Sequence, residues 1–323
     1  MSAGWGGIGP HRIYGWQNEP VRLLLIINVN AQAVTPWAVN VIERALSSEF
    51  KVEVARTKRQ GHATHLARGA EHEGFDAVAS LGGDGTVNEV ANGLAKTTLP
   101  MAIIPGGGTN VLARSLGIPR DPIEATWYLI ANRANPPHRV PLGRAEDRYF
   151  TFACGVGFDG AIVRDVERRQ RLKRGMGHAF YVWSAARIFF AGVDRRNPPV
   201  RLRWGADLEH ARDRLFLAIC QKTAPFTYLG NREMNICPDA RLELGVDCLA
   251  VDTFSTATIL RIAAQTFGSA KHIRNRHVLY LRDQPKVDIT CDLPMPLQMD
   301  GEYLGERTHV LVESVPDALS LLY

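Results

Sequence analysis

The stretch Asp76–Leu94 reads DAVASLGGDGTVNEVANGL, and the order of its parts decides the fold. Asp76 to Leu81 is a short apolar strand that runs directly into Gly82, Gly83, Asp84, Gly85 and Thr86, after which Val87, Val90, Ala91 and Leu94 recur at helical spacing. Thr86 and Glu89 stand at the spacing of a capping box. Glycines let the backbone come close to a ligand, and a helix start offers unpaired N–H groups at the positive end of its dipole, so phosphate is the natural occupant of this turn. An aspartate there would repel the phosphate unless it handles Mg2+ or accepts a proton, which points to phosphoryl transfer rather than plain anion binding. Taken alone, Asp84-Gly85 reads equally well as a tight turn. The strand before it and the helix after it tip the reading toward a site.

Working outward, Val21 to Val29 is continuously apolar apart from Arg22 and Asn28, the pattern of a strand buried on both faces of a parallel sheet. A helix is expected around Trp37 to Leu46, a strand over Lys51 to Ala55 and a helix over Ala63 to Glu73. Downstream, a strand over Pro100 to Ile104 leads into a second glycine loop, Gly106-Gly107-Gly108-Thr109-Asn110, and a helix that closes at Gly117 before Pro119. This alternation implies a parallel, Rossmann-like α/β layer over about 21–135, behind a glycine-rich arm at 1–20. Beyond Pro136-Pro137 the pattern changes to short alternating stretches such as Tyr149 to Ala153, Val200 to Trp204, Leu215 to Ile219 and Val287 to Thr290. They imply a mainly antiparallel β domain over 136–309.

The chain's 323 residues, 46% of them hydrophobic, can bury a large core, and 38 Lys+Arg against 33 Asp+Glu favour anionic partners without choosing among them. Five cysteines without CxxC spacing argue against a disulfide framework or a zinc site and for a reducing, cytoplasmic compartment. The opening residues hold no signal-peptide core, and no run reaches the ~18 apolar residues of a membrane span, so membrane contact is expected to be peripheral. A Walker A string is absent, which excludes a P-loop enzyme. Of two GxGxxG strings, Gly4 to Gly9 lacks a preceding strand. The second, Gly155 to Gly160, is followed by the basic run Arg164 to Arg174 rather than the acidic strand end that a dinucleotide fold requires.

Together these segments resemble the diacylglycerol kinase catalytic-domain family, which also includes sphingosine and ceramide kinases. The motifs that carry the resemblance occur in order. They are Gly61-His62-Ala63 with Leu66-Ala67-Arg68, Gly82 to Thr86 with Asn88-Glu89-Val90, Pro105 to Asn110 with Ala113-Arg114, Gly155 to Asp159, Leu172-Lys173-Arg174 with Tyr181, and Asp300-Gly301-Glu302. The resemblance implies an N-terminal nucleotide domain completed by about 310–323, and a C-terminal β-sandwich-like domain for the lipid. It also implies ATP and Mg2+ as cofactors and a lipid with a free hydroxyl as substrate. Nucleotide contacts carry over to Asn28, Thr57, Gly82, Gly83, Asp84, Gly85, Thr86 and Thr109, and a carboxylate pair to Asp300 and Glu302. Glu302 is then the expected base, Asp300 assists it or binds metal, and Asp84 couples to the metal or the γ-phosphate. Two departures stand out. The first loop reads Asn28-Val29-Asn30-Ala31-Gln32 in place of Asn-Pro-x-Ser-Gly. The family's accessory magnesium site meets only Glu243-Leu244-Gly245, so that site is expected to be weakened or absent.

Arg164, Arg168, Arg169, Arg171, Lys173 and Arg174 suit a transient anionic membrane surface as well as they suit a solvated helix face. Phe180 to Val193 reads as a helix covering the core ahead of an acyl-chain groove. His62 and His65 have HxxH spacing but no third ligand, and no nucleic-acid module is present. A homodimer is left open. The alternatives are an NAD kinase-like enzyme, which shares a GGDG loop, and a catalytically silent lipid-binding or regulatory protein.

Overall fold

The computed structural model describes residues 21–169, 178–191 and 197–323; the expected N-terminal arm and the Leu172-Lys173-Arg174 motif lie outside them. Four six-residue strands, β1 (Arg22–Ile27), β2 (Lys51–Arg56), β3 (Ala77–Gly82) and β4 (Pro100–Pro105), run parallel in the order β4-β3-β1-β2. Every residue of β3 and β4 is buried, as in strands covered on both faces, whereas edge strand β2 is nowhere fully buried. The covering helices are α1 (Pro36–Ser47), α2 (His62–Gly69), α3 (Asp84–Leu94), α4 (Val111–Ser115) and α5 (Pro122–Asn132). Thr35 and Asp121 cap α1 and α5 through their side chains, each followed by a proline at the first helical position. Leaving β1, the chain builds β2 on one side and then returns to build β3 on the other. The strand order therefore reverses between β1 and β3, and a crevice at the carboxyl ends of such strands is where open α/β sheets bind ligands.

The second half is antiparallel. Its strands are β5 (His138–Ala145), β6 (Arg148–Phe150), β7 (Ala153–Gly157), β8 (Val200–Trp204), β9 (His210–Leu215), β10 (Leu217–Gln221), β13 (Val246–Val251), β14 (Val278–Gln284), β15 (Lys286–Met299) and β16 (Glu302–Leu322). A separate hairpin is formed by β11 (Thr227–Leu229) and β12 (Arg232–Met234). The long strand β16 pairs antiparallel with β15 and β5, and its end, Ser320–Leu322, pairs parallel with Pro100–Ala102 of β4. Among the described residues one mixed sheet of 14 strands therefore runs through both halves. Apolar positions such as Val156, Leu202, Val287, Ile289 and Val312 form a second core beside that of the parallel layer.

Among the described residues, helices α6 (Phe158–Arg168), α7 (His178–Ala191) and α8 (Thr256–Thr266) and a 3-10 turn at Lys271–Arg274 belong to this half. On α7, Phe180 and Phe189 are buried, while Trp183 and Phe190 are exposed, so the helix covers core on one side only. The stretch Tyr149 to Ala153, expected as one strand, is broken. Here β6 ends at Phe150 and β7 starts at Ala153, because the N–H groups of Thr151, Phe152 and Ala153 all turn to the carboxylate of Asp300.

Candidate active site

Asn28, Thr57, Gly82 and Gly106 each stand at or just beyond the carboxyl end of one parallel strand, so the fold brings them to one rim, with Asn28 and Gly82 flanking the point where strand order reverses. The two glycine loops pack against each other. Gly106 N–H donates to Gly82 O at 2.6 Å, and a Cβ on Gly107 would lie 2.7 Å from the Cα of Gly83. Only glycine allows this approach. Asn110, at φ +50°, holds the second loop by accepting from Gly107 N–H at 3.0 Å and donating to Gly107 O at 2.8 Å, and Thr109 beside it is half-buried. In the first loop, the Asn28 side chain donates to Thr86 Oγ1 at 3.0 Å and accepts from Asn30 N–H at 3.1 Å, while Ala33 N–H donates to Gly106 O. Thr57 is tied by its N–H to Ile27 O.

The capping box expected at Thr86 and Glu89 does not form. Helix α3 starts at Asp84 with Gly83 as its N-cap and no side chain capping it. Glu89 instead reaches across to α2 and accepts from Gly61 N–H at 2.9 Å and Ala63 N–H at 3.0 Å, because Gly61, at φ +77°, provides no side-chain cap of its own. The start of α3 is thus left open for an anion. A Cβ on Gly85 would meet nothing within 4 Å, so that side of the turn faces open space.

Asp84 Oδ1 accepts from Val111 N–H at 2.6 Å, which ties the phosphate turn to α4. Burial pushes its pKa up to about 6, resisted by the Val111 N–H and reinforced by the nearby charge of Asp300. Asn88, one helical turn after Asp84, donates to Asp300 Oδ2 at 2.8 Å and to Tyr149 O at 2.9 Å. Asp300 is buried at the β15–β16 turn and also accepts from Thr151 N–H, Thr151 Oγ1–H, Phe152 N–H and Ala153 N–H at 2.7–3.0 Å. Burial raises its pKa against the pull of these donors. Five donors fill the acceptor positions of a carboxylate. Two residues on, Glu302 is partly exposed and accepts from Arg148 on one oxygen and from Gln60 on the other. Arg148 also donates to Asn88 Oδ1 at 2.9 Å, closing a chain from α3 to Glu302.

The fold therefore brings Asp84, Asp300 and Glu302 together through Asn88 and Arg148. The sequence singled out neither of those two as a site residue. Asn88 could have been found, since it lies four residues after Asp84 on the same helix face. Arg148 and Gln60 carry no local signal. Among the described residues no group of three or more His, Cys, Asp or Glu side chains forms a metal cage. With the acceptor positions of Asp300 filled, Asp84 and Glu302 are the carboxylates here that could still meet a metal ion.

Near Glu243, the buried ammonium of Lys222 donates to the carbonyls of Leu244 and Gly245 and to Ser314 Oγ, so a lysine serves the oxygens that a cation would meet there. Burial lowers the Lys222 pKa to about 8. The second GxGxxG string is explained by packing. A Cβ on Gly160 would lie 2.2 Å from Pro296 O, and one on Gly155 would lie 2.0 Å from Asp159 Oδ2, so these glycines let α6 press against β7 and β15.

The family model for the diacylglycerol kinase catalytic domain matches residues 22–143, and that for the YegS C-terminal NAD kinase beta sandwich-like domain matches residues 154–323. A diacylglycerol kinase of Bacillus subtilis (strain 168) is 28% identical over 268 residues, covering 82% of this chain and 84% of its own. One from Staphylococcus carnosus (strain TM300) is 28% identical over 271 residues, covering 82% and 83%. The crystal structure of a diacylglycerol kinase from Bacillus anthracis str. Sterne superposes with a TM-score of 0.72 at 22% identity, covering 94% of this chain and 96% of that one, which establishes the shared fold. With the two models covering both halves of the sheet in order, the chain belongs to the diacylglycerol kinase catalytic-domain family.

Proposed function

We propose that this protein is a lipid kinase that transfers the γ-phosphoryl group of ATP to a hydroxyl of diacylglycerol or a related lipid. The observation that carries the reading is the uncapped start of α3, in the glycine turn that interlocks with the Gly106-Gly107-Gly108 loop at the strand-order reversal, with the Asp300-Gly301-Glu302 turn tied to the same helix through Asn88 and Arg148. Phosphates fit the open N–H groups of that helix start.

In this reading Glu302, held by Arg148 and Gln60, orients the lipid hydroxyl and takes its proton. The hydroxyl oxygen forms its bond to the γ-phosphorus as the bond to the β,γ-bridging oxygen breaks, and ADP leaves. Asp300, its acceptor positions filled, fixes the backbone from Thr151 to Ala153 and the turn that presents Glu302. Asp84 would help hold the metal that accompanies the nucleotide. Mg2+, when bound, neutralises charge on the β- and γ-phosphate oxygens.

Access to the lipid is proposed to be peripheral. Among the described residues no helix is long and apolar enough to cross a membrane. Of the basic run, Arg164 pairs with Glu306 and Arg169 with Asp165, while Arg168 is exposed and remains available to anionic headgroups. The test is incubation with γ-labelled ATP and a panel of lipids in anionic and neutral vesicles, with NAD as a control acceptor, followed by chromatography. Label in a lipid supports the reading; label in NAD alone, or in nothing, overturns it.

A further inference from the structure

Arg114 lies in the last turn of α4, just after the second glycine loop, and its Nη1 is buried without a hydrogen-bond partner among the described residues. Tyr228 of the β11–β12 hairpin stacks on it, with the guanidinium carbon 3.1 Å from the ring centroid. No carboxylate forms an ion pair with Arg114 among the described residues. Burial lowers its pKa, while the negative charges of Glu233 and Asp84 work in the opposite direction. A buried guanidinium nitrogen left unpaired is costly, and native structures supply such groups with a partner. A ligand oxygen would supply such a partner.

The surroundings say which kind. The aromatic ring covers one face of the guanidinium, which leaves its planar edge to bind, and that edge matches the paired oxygens of a phosphate. Arg114 follows by three residues the Val111 N–H that holds Asp84. Tyr228 packs in one cluster with Val111, Phe152 and Ala153, and the last two donate to Asp300. Arg114 is thus linked to the turn of Asp84 through α4 and to the backbone that holds Asp300 through Tyr228. The hairpin that supplies Tyr228 is fastened to the same side of the cleft by Arg120, which donates to Asn231 Oδ1 at 2.8 Å.

We propose that Arg114, stacked on Tyr228, grips the γ-phosphoryl oxygens of the bound nucleotide and holds that group toward the acceptor. This rests on the kinase reading above. In an arginine of this kind the planar fork is essential, and a lysine keeps the charge without the two-point grip.

The test compares ATP and ADP affinities by calorimetry in the presence of Mg2+, for wild type, Arg114→Met, Arg114→Lys and Tyr228→Leu. Wild type should prefer ATP. Arg114→Met should weaken ATP binding by about 10-fold or more, the scale of a charge-assisted hydrogen bond, while ADP changes less than about threefold. Arg114→Lys should recover part of the preference and reads the same ratio if Arg114→Met does not fold. Tyr228→Leu should shift the ratio in the same direction by less, since it only frees the arginine. A merely structural role would lower the melting temperature and weaken both nucleotides equally, which overturns the proposal. An unchanged ATP-to-ADP ratio with a raised KM for lipid also overturns it, by moving Arg114 to the acceptor. If wild type binds neither nucleotide, the kinase reading falls and this proposal with it.

Discussion

Asp84→Asn should stabilise the nucleotide-free protein. The aspartate's pKa is raised from the ordinary 3.8 to about 6, mainly by burial. Ionising it in the folded state is therefore unfavourable by up to ~3 kcal/mol, at about 1.36 kcal/mol per unit. The sign follows from proton binding. Between the two values the folded protein holds more protons than the unfolded chain, so stability is greatest below the unfolded value and falls as pH rises through about 6. An asparagine keeps an oxygen for Val111 N–H and removes the charge. At pH 7.5 we expect a gain of ~1–3 kcal/mol after allowing for local relaxation, with roughly half of it present at pH 5 and none below the ordinary carboxylate value. Urea unfolding of wild type and mutant at these pH values, in EDTA and without nucleotide, measures the difference. Asp159, also raised to about 6 by burial, contributes to both curves and cancels. Turnover of the mutant should fall even as stability rises, the usual trade at a site kept strained for function. A mutant that is less stable than wild type, or whose advantage does not change with pH, would refute this account of the carboxylate.

The glycine loops give a paired expectation. Gly107→Ala places a Cβ 2.7 Å from the Cα of Gly83, so it should lower the melting temperature and abolish the shift on adding ATP. Gly85→Ala meets nothing within 4 Å, so its nucleotide-free melting temperature should stay close to wild type while the ATP-induced shift shrinks. Equal ATP shifts in wild type and both variants would remove the phosphate turn from the site. For the region around Glu243, adding Mg2+ or EDTA without nucleotide should leave the melting temperature unchanged, because Lys222 already serves the carbonyls of Leu244 and Gly245. A clear Mg2+-induced rise in a nucleotide-free melting scan would contradict that.

The parallel layer is legible because its signals are local. Buried strands run as unbroken apolar stretches, and Gly82 to Thr86 marks the passage from one such strand to a helix whose apolar residues recur every three or four positions. The antiparallel half is legible as a class but not in detail. Tyr149 to Ala153 alternates like a strand, yet a carboxylate 147 to 149 residues away takes three of its N–H groups and breaks it. Glu89 has the right spacing to cap its own helix, yet an uncapped neighbour, α2, claims it. At the site, the glycines and acids are visible because their chemistry is unusual in any context. Arg148, Gln60 and Tyr228 are ordinary residues brought to the site only by the fold, and an arginine or tyrosine in a polar stretch carries no local mark of its partner. That β16 pairs with strands of both halves is equally a property of register across the sheet, which pattern alone does not encode.

In the proposed reaction Glu302 accepts the proton of a lipid hydroxyl as phosphate is transferred at this turn. The most direct test is the rate of label transfer from γ-labelled ATP to the best acceptor lipid, measured for wild type and Glu302→Gln alongside their ATP affinities. The account requires label in lipid with wild type, a fall in turnover of roughly 10²-fold or more with Glu302→Gln, the scale of general base catalysis, and ATP affinity within about threefold. A Glu302→Gln enzyme that labels lipid at close to the wild-type rate would contradict it.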